Sequence, residues 1–145
     1  MSFLKTYGKN LIVLLLTVAL TLSFSSCVEK KAVNLWENAT YTEDAEIGNG
    51  QKVFTLSVSA QDKEVVFTVK TDKKTVGEAL LEHKLISGEI GTYGLYVKFV
   101  NGIEADYSKT QSFWAFLKNG ESLLTGVDSE DVTEGARYEF VYTVQ

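Results

Sequence analysis

Two neighbouring segments alternate strictly between apolar and polar residues, and this alternation limits the possible folds more than any other feature. The first segment starts at Lys52, and the second follows a polar turn at residues 61–64. The apolar positions are Phe54, Leu56, Val58 and Ala60 in the first segment and Val65, Phe67 and Val69 in the second. A period of two residues is that of a β-strand. The pattern predicts a β-hairpin with one buried face, in an antiparallel sheet covered on one side.

A single helix is predicted after this hairpin. Residues 75–78, "TVGE", form a capping box, in which Thr75 and Glu78 each accept a hydrogen bond from the other's backbone amide. The apolar arc of the helix is Val76, Ala79, Leu80 and His83. We expect the helix to stop near Gly88.

The second half of the chain reads as short strands. Residues 95–100 and 112–118 each end at an Asn-Gly pair, and residues 136–144 form a closing strand. Asn-Gly favours a type I′ turn, because both residues tolerate positive φ. The order of two strands, one helix and at least three strands predicts an α+β fold, with one helix packed on an antiparallel or mixed sheet.

The N-terminus is typical of an exported protein. Lys5 and Lys9 precede an apolar run, residues 11–24, which is shorter than the roughly 20 residues that cross a bilayer. The only cysteine, Cys27, follows two serines, and this arrangement resembles a bacterial lipobox. We therefore predict a lipoprotein signal peptide over residues 1–26, lipidation at Cys27, and location on the extracytoplasmic face of a bacterial membrane. An ordinary cleavage site at residues 23–25 and an uncleaved anchor are the alternatives.

Residues 27–50 have no sustained period and are interpreted as a lipidated tether before a domain at 51–145, with Trp36 packed back on the domain edge. Removing residues 1–26 takes away two of the 14 basic residues and none of the 19 acidic ones, which leaves a net charge of −7. This charge argues against nucleic acid and against electrostatic binding to anionic lipid. The predicted contact with the membrane is the lipid alone.

Four stretches carry a resemblance to a known family: "TVGEALLEH", "VNGIEAD", "FWAFLKNGE" and "GVDSEDVTEGARYEFVY". In their order and spacing, over about residues 65–143, the chain resembles the DUF4430 family, also described as the transcobalamin-like C-terminal domain. The resemblance implies a β-grasp-like α+β domain without catalytic machinery. It also implies a corrinoid as a ligand, because in transcobalamin and intrinsic factor such a domain covers one face of cobalamin.

The sequence offers few residues suited to catalysis. We therefore expect that the protein is not an enzyme and that it requires no cofactor. The chain has one histidine, its cysteine is assigned to the anchor, and no serine is followed by a suitable base and orienting group. His83 lies on the apolar arc of the predicted helix. It is interpreted as a histidine at the edge of the core, because a lone imidazole lacks metal-binding partners.

Aromatic residues are the main candidates for ligand contact. Trp114 and Phe116 share one face of a strand whose other face is also apolar, whereas a sheet covered by one helix hides only one face. One set is therefore either covered by a loop or partly exposed, and an exposed set would contact a flat ligand or a protein. The alternative is that both faces are core. The predicted ligand-binding residues are Tyr96, Trp114, Phe116, Asn119 and Tyr138.

Asp128, Glu130 and Asp131 form a second candidate site. Loop carboxylates suit a hard cation such as calcium, although a solvated acidic turn explains the same residues. The sequence thus predicts a non-catalytic, lipid-anchored, extracytoplasmic protein that binds a corrinoid or a similar planar ligand. The alternatives are a protein-interaction module that docks on an envelope partner, and a cation-binding lipoprotein.

Overall fold

The computed structural model describes residues 32–145, of which residues 34–145 form one compact unit. The predicted signal peptide and the lipidation site at Cys27 lie outside the described residues. Within residues 32–145, no helix has both the length and the apolar character that crossing a membrane requires.

A short 3₁₀ helix, Leu35–Asn38, opens the fold. The elements that follow are β1 (Ala45–Ile47), β2 (Lys52–Ala60), β3 (Lys63–Thr71), α1 (Val76–Glu82), β4 (Ile86–Gly91), β5 (Gly94–Val100), β6 (Ile103–Glu104), the single-turn helix α2 (Tyr107–Thr110), β7 (Ser112–Lys118), β8 (Glu121–Ser122) and β9 (Arg137–Val144). The α+β prediction is confirmed.

Six strands form the larger sheet, in the order β1-β3-β2-β9-β7-β8. The predicted hairpin is its β2–β3 pair, in which the apolar face is fully buried. The central pair, β2 and β9, is parallel, and β7 pairs with β9 in the antiparallel sense. The sheet is therefore mixed, which is one of the two arrangements that the sequence left open.

The helix starts as predicted and ends earlier than predicted. Both hydrogen bonds of the Thr75–Glu78 capping box are present, and Val76, Ala79 and Leu80 are buried. The helix ends at Glu82, because Lys84 adopts a φ of 54° and turns the chain into β4. The predicted stop at Gly88 is wrong. Gly88 lies inside β4, where a Cβ would meet the Tyr96 carbonyl oxygen at 1.9 Å.

Three strands form a second sheet, in the order β4-β5-β6. Strand β4 was not predicted from the sequence, because its two glycines and its exposed residues hide the strand period. The β4–β5 register shifts after Ser87, which pairs with Phe99, whereas Gly88 pairs with Val97. This shift leaves Lys98 as the extra residue of a β-bulge. Leu95 and Val97 pack against the core.

The folded domain begins before the predicted boundary at residue 50. Strand β1 pairs with β3 in parallel, with Ala45 opposite Phe67, so it belongs to the larger sheet. Trp36 is buried as interpreted, and its Nε1–H donates to the carbonyl oxygen of Ala60 at 2.9 Å. Residues 34–50 carry no clear period because only scattered positions contribute to the core, namely Trp36 and Ile47 and the partly buried Leu35, Ala39, Tyr41 and Ala45. The predicted tether is therefore shorter at its C-terminal end.

Candidate ligand-binding site

The structure divides the predicted ligand-binding residues between the core and the surface. Trp114 is 7% exposed and Tyr138 is fully buried, so neither offers contact area, and the prediction is wrong for both. Trp114 packs edge-on against Phe140 and Tyr142, with ring centroids 6.4 and 5.4 Å apart. Among the described residues, the buried Nε1 of Trp114 has no hydrogen-bond partner.

Phe116 belongs to the same aromatic cluster. It stacks on Phe140 and on Tyr138, with centroids 5.0 and 5.9 Å apart. The opposite face of β7, formed by Phe113, Ala115 and Leu117, is half-buried. Of the alternatives that the sequence left open, the structure places the Trp114 set in the core and leaves the other set partly exposed.

Tyr96 and Asn119 are at the surface, in different elements. Tyr96 is 44% exposed on β5, opposite Glu89 of β4. Asn119 lies in the β7–β8 turn with a φ of 50°. Its amide N–H donates to the Arg137 carbonyl oxygen at 2.7 Å, and its Oδ1 accepts from the Arg137 amide at 3.0 Å. Asn119 therefore fixes the strand register, and the five predicted residues do not form one surface.

The predicted cation ligands are also engaged separately. Glu130 pairs with Lys118, Asp128 accepts a hydrogen bond from a backbone amide, and Asp131 uses its backbone carbonyl. Residues 32–145 contain no group of three histidine, cysteine or acidic side chains that could hold a metal ion. The prediction of a cation site formed jointly by Asp128, Glu130 and Asp131 is therefore wrong, because these three side chains do not converge on one point.

Lys118 ties the long loop between β8 and β9 to the sheet. Its Nζ donates to Glu130 Oε1 at 2.7 Å and to Thr133 Oγ1 at 2.9 Å, and lies 5.5 Å from the Tyr138 ring centroid. The hydrogen bond to Glu130 raises the pKa of Lys118 above its usual value. Tyr138 adds a second tie, since its hydroxyl donates to the Asp131 carbonyl oxygen and accepts from the Thr133 amide. The loop is thus held by an ion pair and a buried tyrosine.

The large apolar side chains with the highest exposed fractions occur on two segments that contact each other. Ile90 and Tyr93, on β4 and in the β4–β5 turn, are 82% and 98% exposed. Leu124, in the β8–β9 loop, is fully exposed. We call these three residues the apolar tip. Large apolar side chains left in water on two adjoining segments mark a candidate contact surface.

Asp128 joins the two segments that carry the apolar tip. Its Oδ2 accepts a hydrogen bond from the Leu95 amide at 3.1 Å. A Cβ on Gly94 would lie 2.5 Å from this oxygen, and a Cβ on Gly126 would lie 2.8 Å from Oδ1. Oδ1 itself is buried and has no hydrogen-bond partner among the described residues. The two glycines therefore leave the space that the carboxylate occupies.

The start of α1 also holds the β8–β9 loop, through backbone hydrogen bonds. The Gly77 amide donates to the Val127 carbonyl oxygen at 2.8 Å, and the Val76 amide donates to the Glu130 carbonyl oxygen at 2.9 Å. A Cβ on Gly77 would lie 2.8 Å from the Asp128 Cα. The helix N-terminus thus fixes the backbone that presents Asp128.

The sequence did not point to Ile90, Tyr93 or Leu124 as contact residues. The available signal was composition: each of the two segments places an apolar residue beside glycines, in "IGTYG" and "LLTG". His83, in contrast, is half-buried at the end of α1, with its Nε2 3.7 Å from Glu82 Oε2, at the core edge as interpreted.

Comparisons with known proteins identify the fold. Residues 73–143 match the family model described as "Domain of unknown function (DUF4430)". A crystal structure described as a "putative metal binding protein" from Ruminococcus gnavus ATCC 29149 is 36% identical with a TM-score of 0.62, and the match covers 66% of this chain and 99% of that chain. No curated protein matches the chain.

Haptocorrin in complex with Cbi is a second similar structure. It is 19% identical with a TM-score of 0.55, and the match covers 64% of this chain and 25% of haptocorrin. At this identity the likeness shows a shared fold.

Proposed function

This protein belongs to the DUF4430 family, and from that premise we propose that it is a non-catalytic, lipid-anchored, extracytoplasmic binding protein for a planar ligand. A corrinoid is the first candidate for that ligand. We expect the domain to fold without a cofactor, and the apolar core formed by its own side chains supports this expectation. Haptocorrin, whose similar fold was solved with Cbi, supports the choice of ligand.

The observation that carries the proposal is the apolar tip. Ile90, Tyr93 and Leu124 expose nearly all of their side chains on segments that Asp128 holds together. A flat ring system gains affinity from such side chains by removing both surfaces from water. The β8–β9 loop, which carries Leu124, is also held in place by hydrogen bonds from the start of α1 and from Lys118. Binding therefore needs little ordering of the backbone, which would otherwise weaken it.

Titration with cobalamin and dicyanocobinamide tests the ligand. Residues 34–145 contain every described helix, strand and core residue and are used alone, with a thermal melt to confirm folding. We expect a shift in the visible spectrum of the corrinoid together with measurable heat. No shift and no heat at high micromolar ligand would reject a corrinoid.

Paired variants test the site. Tyr93→Ser combined with Leu124→Ser removes two side chains of the tip, whereas Val144→Ser removes an exposed apolar side chain at the end of β9. We expect the double variant to weaken binding about tenfold or more, which corresponds to about 1.4 kcal/mol, and the control to leave binding unchanged. Equal binding by all three proteins would place the ligand elsewhere.

The lipid anchor is tested separately, in the bacterial host. Metabolic labelling with an alkyne fatty acid is expected to mark the full chain in the membrane fraction, and Cys27→Ser is expected to remove both the label and the membrane association. An unlabelled protein with its leader intact in the cell interior would contradict the anchor.

Cation binding is the second candidate function, because the 36%-identical relative carries that description and Asp128 Oδ1 has no partner among the described residues. One carboxylate oxygen does not make a metal site, so the described residues fit cation binding less well than they fit the binding of a planar ligand. Thermal melts with calcium, zinc and a chelator test it. A ligand at a hundredfold excess over its Kd adds about 2.7 kcal/mol, so an unchanged melting temperature would remove cation binding.

Docking on an envelope protein, or on another copy of the chain, is the remaining alternative for the apolar tip. Sedimentation of residues 34–145 over a range of concentrations distinguishes self-association from ligand binding. Association that Tyr93→Ser with Leu124→Ser abolishes would favour docking over a small planar ligand.

A further inference from the structure

Strand β4 forms one edge of the second sheet, and among the described residues it pairs with β5 alone. Every residue of β4 from Ser87 to Gly91 is exposed. The outer side of an edge strand presents unpaired backbone N–H and C=O groups, and another strand can pair with them. The edge of β4 is therefore a surface on which a further strand fits.

A hydrogen bond of the neighbouring strand shows which residues of β4 face this open edge. Ile90 lies opposite Leu95, and the Leu95 amide donates to Asp128 Oδ2 at 3.1 Å instead of to Ile90. Residue pairs of an antiparallel ladder alternate between hydrogen-bonded and non-hydrogen-bonded types. The Ile90–Leu95 pair is of the second type, and so is the Gly88–Val97 pair two positions away. The backbone groups of Gly88 and Ile90 therefore point away from β5.

These outward backbone groups are neither paired nor protected. Within residues 32–145, no hydrogen bond reaches the outward groups of Gly88 or Ile90. Natural sheets often protect an edge with lysine or proline, and residues 86–91, "ISGEIG", contain neither. Ile90 is 82% exposed at this edge. The β-bulge at Lys98 and the turn at residues 92–93 limit the open stretch at its two ends.

The short length of the open edge restricts what can pair with it. Gly88 and Ile90 each offer one N–H and one C=O, and so few hydrogen bonds do not offset the entropy lost when an unstructured peptide is ordered. The partner strand must therefore be ordered before it binds. The β4 strand of a second copy meets this requirement, because β5 already holds it. Antiparallel pairing about a two-fold axis would use the same groups in both copies.

Charge does not oppose this pairing. Glu89 is the single charged residue of β4, and Lys98 Nζ of the same chain lies 3.1 Å from Glu89 Oε1. Each copy therefore brings a compensating positive charge with its own carboxylate. Like charges placed opposite each other on neighbouring strands would otherwise destabilise the pair.

We propose that two copies of this protein associate through antiparallel pairing of their β4 strands, which joins their second sheets into one continuous sheet. The interface consists of the outward backbone groups of Gly88 and Ile90 and the exposed side chain of Ile90. It is small, so the dimer is weak and reversible. This inference goes beyond the proposed function, because the pairing requires no ligand and does not use Tyr93 or Leu124.

Sedimentation equilibrium and amide hydrogen exchange of residues 34–145 test the pairing. Between about 10 μM and about 1 mM protein, the mass should rise from that of the monomer towards that of the dimer. Over the same range, exchange of the Gly88 and Ile90 amides should slow about threefold or more. The amides of Glu89 and Gly91, which face β5, should change by less than about twofold. A monomer at every concentration, or a dimer without added protection at Gly88 and Ile90, would overturn the proposal.

Three variants separate the β4 edge from other surfaces, and a thermal melt of each confirms folding. Ile90→Lys puts a charge at the edge and should abolish association. Val144→Lys makes the same change in net charge at an exposed position at the end of β9, and it should leave the dimer Kd within about twofold of the wild-type value. Tyr93→Ser with Leu124→Ser keeps the β4 backbone and should also associate like the wild type. Association that survives Ile90→Lys, or that the tip variant abolishes, would show that another surface forms the dimer.

Discussion

Asp106 caps the single-turn helix α2 and is the most strongly held carboxylate of the domain. Its Oδ1 accepts from the Ser108 hydroxyl at 2.6 Å and from the amides of Ser108 and Lys109, and Lys98 Nζ lies 3.5 Å from its Oδ2. The Ser108 hydroxyl first, then these amides and the Lys98 charge, hold the pKa of Asp106 well below its usual value. The ionised carboxylate is therefore more stable in the folded state than in the unfolded state.

We predict that Asp106 makes the stability of the domain depend on pH in the acid range. A depressed pKa in the folded state contributes stability above the unfolded pKa of about 3.9, and this contribution is lost as pH falls below that value. Asp106→Asn keeps an oxygen acceptor and removes the charge. Urea unfolding of both proteins from pH 7 to pH 2 should show the wild-type advantage shrinking below about pH 4. A constant difference across this range would contradict the assignment.

Asn101 was predicted from the sequence as half of a tight turn, and the structure gives it a second role. It is fully buried with a φ of 52°. Its Oδ1 accepts from the Tyr41 amide at 2.9 Å, and its Nδ2 donates to the Tyr41 carbonyl oxygen at 2.8 Å. The Asn101 side chain thus makes the pair of hydrogen bonds to the Tyr41 backbone that a neighbouring strand would make.

Asn101→Ala should lower the free energy of unfolding by about 2–4 kcal/mol, because two part-buried hydrogen bonds to the Tyr41 backbone are lost and alanine disfavours positive φ. The control is Asn119→Ala, an exposed asparagine with a φ of 50°, which loses one exposed hydrogen bond from the Arg137 amide and for which about 1–2 kcal/mol is expected. Urea unfolding measures both. Equal losses would show that the turn conformation, and not the tie to Tyr41, determines the effect.

At the level of elements, the β4–β5 hairpin and the β8–β9 loop act as one unit because of Asp128. Gly94 has a φ of 102°, and the Asp128 carboxylate fills the place of its Cβ. Gly120, in the β7–β8 turn, has a φ of 82° and has no atom within 4 Å of a Cβ. The two glycines therefore share a positive φ and differ in their neighbours.

Gly94→Ala should cost about 2–4 kcal/mol and Gly120→Ala about 1–2 kcal/mol, since only the first adds a clash with Asp128 to the strain of positive φ. Gly94→Ala should also weaken the binding of dicyanocobinamide by separating the two segments of the tip. Thermal unfolding and titration of both variants provide the comparison. Unchanged binding by Gly94→Ala would show that Asp128 does not position the tip.

For the molecule as a whole, residues 34–50 belong to the folding unit, which therefore begins before residue 51. Trp36 is buried beneath Lys63, whose Nζ lies 4.8 Å from the Trp36 ring centroid, and β1 extends the larger sheet. A chain that starts at residue 51 lacks both. Its β3 edge is then unpaired along the residues that contact β1.

We predict that residues 51–145 are less stable than residues 34–145 by at least about 3–5 kcal/mol, the range expected for the loss of a buried tryptophan. Trp36→Ala in the longer chain should account for most of this loss. Urea unfolding of the three proteins measures it. Coincident transitions for residues 34–145 and 51–145 would show that the segment is a tether after all.

Local sequence determined the elements whose period is regular or whose ends carry polar signals. The β2–β3 hairpin follows from alternation, α1 from the Thr75–Glu78 capping box, and the β7–β8 turn from Asn119-Gly120. Each depends on residues at most a few positions apart, so a sequence pattern contains the information. Strand β4 escaped prediction because glycines interrupt its period, and β1 because three residues are too few to show one.

The tertiary structure alone decided which aromatic residues are core and which segments meet. Trp114 and Tyr138 look like contact residues in the sequence, yet they are buried, because burial depends on what packs over a strand and not on the strand itself. The apolar tip exists because Asp128 reaches Leu95 across 33 positions of the chain. Contacts of that range depend on the packing of the whole domain, whereas local periods and turn residues act before the domain has formed.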